Sequence, residues 1–259
     1  MDDFRRQMAA LTYQLVLSRL AATRDPRELC LFTAQCFSQG PEDGVVAEIF
    51  RRIGAGDRTF IEIGAGDGRE NTTRLLLMLG WSGVWVEGSP QSCAAIRRDF
   101  AGPLATGQLK LIEAMVTAEN IEALLAEADA PRKPDYLSVD LDMNTYHVWR
   151  ALGRYKARAA CIEYNASIPA PHEFVVPYDP AGVWDGSTFY GASLKSLELL
   201  GASEGYRLVG CDFYGVNAFF VAGGEDLSGF VEPFTAEKHY MPPTYLAPFR
   251  NGHWPAAPA

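Results

Sequence analysis

The chain lacks a CxxC pair, a long run of Lys or Arg, and any apolar stretch near the roughly 18 residues that a membrane-crossing helix needs. Each absence excludes something. Its cysteines, Cys30, Cys36, Cys93, Cys161 and Cys211, are odd in number and scattered. Neither a zinc site nor a disulfide framework is expected from them, and a reducing, cytoplasmic setting fits. The net charge of -9 makes the surface repel a phosphate backbone, so no nucleic-acid partner is expected. Arg5 and Arg6 open the chain like a secretory leader. The apolar run behind them is broken by Gln14, Ser18 and Arg19, so neither a leader nor a membrane partner is expected.

What is present is an ordinary globular composition, 48% apolar and 21% charged over 259 residues. That length suits one α/β domain over 1-259. Phe4, Met8, Leu11, Leu15 and Leu20 fall near one face of a helix over Asp3 to Arg24, stopped before Pro26. This accessory segment, 1-26, packs over the core or in the seam of a homodimer. Turn chemistry follows in Ser38 to Gly44, "SQGPEDG", and then a helix over Val45 to Ile53.

From there strand and helix alternate. Strands are expected at Thr59–Ile63, Gly83–Val86, Leu109–Ala114, Asp135–Val139 and Ala159–Glu163. Helices are expected at Asn71–Leu79, Ser92–Phe100, Ile121–Ala128 and Tyr146–Tyr155. A long irregular loop, 166-190, precedes helix Ala192–Leu200 and strands Tyr206–Cys211 and Ala218–Val221. The connection "DFYGVN" between those two strands is too short for a crossover, so they pair antiparallel. The expectation is a Rossmann-like doubly wound sheet, mostly parallel with an antiparallel C-terminal strand and helices on both faces. The proline-rich tail, 233-259, reads as a wrapping or lid segment.

Phe60 to Gly68, "FIEIGAGDG", joins the first strand to the next helix through a glycine corner. A dinucleotide fingerprint requires a third glycine at position 69, and Arg69 stands there. The remaining pattern, an acid followed by GxGxG (Glu62, Gly64, Gly66, Gly68), resembles the first motif of class I S-adenosylmethionine-dependent methyltransferases. Glycines let the backbone come close to the methionine and ribose portions of that cofactor, and nearby carboxylates suit its ammonium and sulfonium. Glu87 ends the second strand in "VWVEGS", where a carboxylate can accept both ribose hydroxyls. The resemblance implies a cofactor site built from Glu62, Gly64, Ala65, Gly66, Gly68, Asn71, Glu87, Gly88, Ser89, Ala114, Met115 and Asp140. Met115 reads equally as plain core.

Acids and amides crowd the next two strand ends. "LSVDLDMNTYHVW" carries Asp140, Asp142, Asn144 and His147, and "CIEYNAS" carries Glu163 and Asn165. Hard oxygen donors suit Mg2+ or another divalent cation. The arrangement is similar to metal-dependent O-methyltransferases of the catechol and macrolide-sugar types. That implies Asp140 or Asp142 with Glu163 and Asn165 as ligands of an ion that clamps substrate hydroxyls. "SVDLDMNTY" also resembles the K-I-D-x-E-G region of the FkbM family, with Met143 in place of the glycine and Ser138 in place of the lysine. No lysine matches the catechol-type base, so the base is open among Asp140, His147 and His172. His147 reads equally as a core residue, Asn144 or Thr145 as a helix cap, and His239 and His253 as structure. In the loop, Tyr178, Trp184, Asp185 and Tyr190, with Phe189, can stack on and bond a ring of a small-molecule acceptor. Trp184 and Tyr190 read equally as packing anchors.

The expected activity is transfer of a methyl group from S-adenosylmethionine to a hydroxyl of a glycosyl or secondary metabolite. The alternatives are an N-methyltransferase or metal-free methyltransferase, an NAD-dependent oxidoreductase, and a cofactor-binding scaffold without catalysis.

Overall fold

The computed structural model describes residues 2–244. The tail from 245 on, with His253, lies outside the described residues, as do the side chains of Phe4 and Met8. Seven strands form one sheet in the order β3-β2-β1-β4-β5-β7-β6. They are β1 (Thr59–Ile63), β2 (Ser82–Glu87), β3 (Leu109–Glu113), β4 (Tyr136–Val139), β5 (Ala159–Glu163), β6 (Tyr206–Cys211) and β7 (Asn217–Ala222). β1 to β5 pair in parallel, and β7 lies antiparallel between β5 and β6. This is the expected Rossmann-like, doubly wound sheet with one reversed strand.

The strands are apolar on successive residues because helices cover both faces. Ile61, Ile63, Val84, Val86, Leu137, Val139 and Ile162 point to one side, into a cluster closed by Val148, Trp149 and Leu197. Phe60, Trp85, Tyr136 and Cys161 point to the other, with Val45, Ile49, Leu76 and Ile96. The first set of helices is α6 (Ile121–Glu127), α7 (Thr145–Ala151) and α8 (Leu194–Ser203). The second is α2 (Glu42–Ile53), α3 (Arg74–Met78) and α4 (Pro90–Asp99). α1 spans Asp2–Thr23 and packs through Tyr13, Leu17 and Leu20, with the Tyr13 ring edge-on to Phe213 at 4.7 Å. Leu11 and Leu15 stay exposed.

Register aligns the carboxyl ends that matter. Ile63 pairs with Val86 and with Val139, and Val139 pairs with Ile162. The residues just beyond, Gly64, Glu87, Asp140 and Glu163, therefore share one edge of the sheet. β1 is the switch point, since the chain leaves it to β2 on one side and reaches β4 on the other. Open α/β sheets place ligands at such a point.

Several expectations shift. α3 starts at Arg74 rather than at Asn71, because the preceding backbone amides are held by Glu62. α5 (Ala101–Thr106), α9 (Ala236–His239) and a single 3-10 turn at Leu29–Leu31 are additional to the sequence-based elements. β4 ends at Val139, so Asp140 and Asp142 lie beyond the strand. They belong to a turn in which Asp142 takes a φ of 47°.

Candidate functional site

The glycine corner is held from beneath. Gly64 and Ala65 donate their N–H groups to the Val86 carbonyl at 2.9 and 3.2 Å. Gly64, Gly66 and Gly68 have φ of 88°, 57° and 77°, in the left-handed region where a side chain is strained. They differ in what surrounds them. A Cβ on Gly64 would run into the Asp140 carbonyl oxygen, and one on Gly68 would strike Trp85 and Phe100, but one on Gly66 would meet nothing within 4 Å. Gly64 and Gly68 are therefore small for packing, while Gly66 faces open space. Glu87 then ties the corner to β2. Its Oε2 accepts from Gly66 N at 2.8 Å and its Oε1 from Ser89 N at 2.7 Å. The carboxylate is fixed beside that open space with acceptor capacity left on both oxygens. Ser89 caps α4 by accepting from Ser92 N, and Ala114 N donates to the Glu87 carbonyl. Exposed Met115 lies over Gly88 with its sulfur in contact.

Glu62 does something else. Buried in β1, its carboxylate accepts from Asn71 Nδ2, from Thr72 N and Oγ1, and from Thr73 N and Oγ1. Burial pushes its pKa up to about 6, and the bonds from Thr73 and Thr72 pull the other way. With its lone pairs taken up by its own chain, Glu62 organises the start of α3 rather than offering a free oxygen to a cofactor. This corrects the direct cofactor role expected for it. Asn71 is left with a buried Oδ1 that has no hydrogen-bond partner in the protein.

The acids do converge. One carboxylate oxygen from each of Asp140, Asp142 and Glu163 lies within 4.8 Å of the others. Glu163 is buried, whereas Asp140 and Asp142 touch solvent. Asp140 also lines a cleft together with Gly64 and Ser138. Desolvation first, and the Asp142 charge second, push the Asp140 pKa up to about 6. Desolvation and the charges of Asp140 and Asp142 hold Glu163 well above the usual carboxylate range. Like charges confined together oppose ionisation, and a cation placed among them would relieve this. Thr145 Oγ1 braces the turn by accepting from Leu141 N at 2.9 Å and donating to Glu163 Oε2 at 3.4 Å.

Asn165, expected beside Glu163 as an ion ligand, is committed elsewhere. Its Nδ2 donates to the Thr188 and Tyr190 carbonyls at 2.8 and 2.9 Å, and its Oδ1 accepts from Ser167 N. It clamps the loop that follows β5. Val175 and Ala192 close the base of that loop by an isolated antiparallel bridge. Tyr178 donates to Glu119 Oε2 at 2.6 Å, so its hydroxyl anchors the loop rather than standing free for an acceptor. Trp184 Nε1 donates to Ser187 O, Asp185 Oδ1 accepts from Ser187 N, and the Trp184 ring lies 5.8 Å from that of buried Tyr190. These two rings build the loop, the packing alternative of the sequence reading.

His147 lies on the buried face of α7 with Nε2 2.8 Å from the Val176 carbonyl, and its ring meets Tyr178. It latches the loop from below, the core alternative rather than a free base. Asn144, beside it, donates to the Asp179 carbonyl instead of capping α7. His172 is exposed. His239 is buried, and desolvation lowers its pKa to about 4, as expected of a structural histidine.

A cleft of about 220 Å³ opens beside the corner. It is lined by Gly64 to Asp67, Glu62, Glu70, Asn71, Thr72, Ser138 and Asp140, and also by Gln39, Glu42 and Asn217. The last three were missed as site residues; Gln39 and Glu42 belong to the turn "SQGPEDG" and Asn217 to "GVNAFFV", stretches from which no site residue was singled out. Two larger clefts, about 420 and 600 Å³, lie between α2 and α3 and at the amino ends of β1, β4 and β5. The second shares no lining residue with the glycine-corner cleft, and the first shares only Thr72.

No protein-family model matches the chain, and no curated protein matches it. Among solved structures, the pyocyanin biosynthetic protein PhzM is 15% identical, with 68% of this chain and 53% of that chain covered and a TM-score of 0.42. The chain thus spans about half of that protein's length. A putative O-methyltransferase from Klebsiella pneumoniae is 16% identical, with 80% and 90% covered and a TM-score of 0.47. The glycopeptide N-methyltransferase MtfA, complexed with S-adenosyl-L-methionine, is 14% identical, with 80% and 97% covered and a TM-score of 0.41. At such scores the likeness carries neither chemistry nor residue roles over to this chain.

Proposed function

We propose that the chain is an S-adenosylmethionine-dependent methyltransferase acting on a hydroxyl of a small molecule, a glycosyl or secondary metabolite, in the cytoplasm. The observation that carries the reading is the coupling of Gly66 to Glu87: an open, side-chain-free corner with a carboxylate fixed beside it at the switch point of the sheet. The adjoining cleft has acids in its wall and no Lys or Arg. That suits an ammonium and a sulfonium and opposes a pyrophosphate, which weighs against NAD. Arg69, at the position of the missing glycine, is turned to Asp99 at 2.7 Å.

Asp140, Asp142 and Glu163 fit a divalent cation by donor type and spacing, without Asn165. When bound, the cofactor supplies the methyl group and the ion would lower the pKa of the acceptor hydroxyl. The chain's own residues do the rest. The braced turn at Asp140–Thr145 and the clamped loop 166-190 confine the acceptor. Without an ion, desolvation and mutual repulsion raise the pKa values of Asp140 and Glu163; an ion held between them would keep both ionised as its ligands, so the proton that the hydroxyl loses passes to solvent. The same acid cluster would also draw a protonated amine, which keeps N-methylation as the second reading.

The test is transfer of labelled methyl from S-adenosylmethionine across a panel of hydroxyl and amine acceptors, with and without chelator. The expected result is transfer to a hydroxyl that chelator abolishes. Glu163→Gln is expected to lower turnover by roughly a hundredfold while leaving S-adenosylhomocysteine affinity nearly intact. Full activity in chelator would remove the ion from the reading, and transfer to amines alone would replace O- by N-methylation.

A further inference from the structure

The segment Ser38–Gly44 plays no part in the reading so far, yet its own side chains hold it closely. Asp43 Oδ2 accepts from Cys36, Phe37 and Ser38 N at 2.7, 2.6 and 3.0 Å. Ser38 Oγ donates to the Gly40 carbonyl and accepts from Asp43 N. Glu42 Oε2 accepts from Gly40 N at 2.8 Å, and its Oε1 accepts from Asn217 Nδ2 of β7 at 3.1 Å. Gln39 N donates to the Glu70 carbonyl at 2.9 Å, which fixes the turn against the segment that follows the glycine corner.

All of this places one side chain. Gln39 is exposed, lines the cleft, and has its backbone rather than its amide committed to the fold. Asn71, next in the chain to the Glu70 that Gln39 N bonds, also lines the cleft; it is more than nine-tenths buried and its Oδ1 has no partner in the protein. Such an orphaned acceptor calls for a donor from a ligand or a water. Asp140 lies in the same wall, and neither Lys nor Arg does.

Direction follows from the sheet. If Glu87 at the end of β2 takes the ribose, the opposite end of the cofactor extends over β1 and β4, toward Gly64, Ser138 and Asp140. That is where this cleft lies. We propose that the turn Ser38–Gly44 is a second cofactor-binding element, in which the Gln39 amide donates to the α-carboxylate of the amino-acid portion while Asn71 Oδ1 and Asp140 receive its α-ammonium. This rests on the S-adenosylmethionine reading above. The amino-acid portion differs from a pyrophosphate in carrying its own α-ammonium to the acids of the wall, so its carboxylate calls only for a neutral donor such as the Gln39 amide.

The experiment compares two probes by calorimetry on the full chain. S-adenosylhomocysteine carries the amino-acid portion, and 5′-methylthioadenosine lacks it. Gln39→Ala is expected to weaken S-adenosylhomocysteine about tenfold or more, the scale of a lost hydrogen bond to a charged group, and to leave 5′-methylthioadenosine unchanged. Gln39 is exposed and its brace is a backbone bond, so the variant keeps the turn. Equal losses for both probes, or no loss for either, would overturn the assignment. Absence of S-adenosylhomocysteine binding to the wild type would instead overturn the cofactor reading on which it rests.

Discussion

Gly64 and Gly66 stand two residues apart and should respond differently to one added methyl group. Gly64→Ala drives a Cβ into the Asp140 carbonyl, where backbone must move, so denaturant unfolding should show a loss of several kcal/mol, on the order of other strongly strained sites. Gly66→Ala meets open space and bears only the cost of its positive φ, about 1 kcal/mol. It should fold, yet lose affinity for S-adenosylhomocysteine by calorimetry, because the methyl fills room meant for the cofactor. A folded Gly66→Ala with unchanged affinity would separate the corner from binding. Asp140 gives a pH test. Its folded pKa, about 6, lies above the usual carboxylate value, so its contribution to stability is fully present below that ordinary value and is lost as pH rises through 6. Asp140→Asn removes the charge that burial opposes. The variant should be more stable than wild type at pH 7.5, by no more than about 1 kcal/mol once solvent screening is allowed for, and no more stable at pH 4. Thermal unfolding at the two pH values reads the difference.

Strands were the most legible elements, and the reason is burial on both faces. β1 and β6 have the bounds expected from the sequence, because runs such as Thr59–Ile63, apolar but for Thr59 and Glu62, stop at a turn signal such as the glycine corner. α3 was misjudged because its start is set by Glu62, a tertiary contact that periodicity does not record. The same limit applies to side-chain roles. An acid ahead of GxGxG reads as a cofactor ligand, and only the bonds from Asn71, Thr72 and Thr73 show it bracing its own chain. An acid and an amide two residues apart read as ion ligands, but Asn165 spends its amide on the loop while Glu163 turns to the acid cluster. Removing that clamp is informative. Asn165→Ala frees the Thr188 and Tyr190 carbonyls, so hydrogen exchange in the loop around 186-192 should quicken while S-adenosylhomocysteine affinity stays close to wild type. Unchanged exchange would mean that the Val175–Ala192 bridge alone holds the loop.

At the scale of the molecule, an acidic chain with a net charge of -9 brings three carboxylates together at one edge of its sheet. No helix among the described residues is long and apolar enough to cross a membrane. The homodimer expected from α1 stands as a proposal on exposed Leu11 and Leu15, since Tyr13, Leu17 and Leu20 already face the chain's own core. Sedimentation of wild type and of Leu11→Glu with Leu15→Glu should show a dimer becoming a monomer; a monomeric wild type would end that proposal. The account as a whole depends on what occupies the corner between Gly66 and Glu87. Calorimetric titration of the full chain with S-adenosylhomocysteine and, separately, with NAD tests it most directly. The expected result is one S-adenosylhomocysteine per chain, weakened by Glu87→Ala, and no heat of binding from NAD. Tight NAD binding with no response to S-adenosylhomocysteine would contradict it.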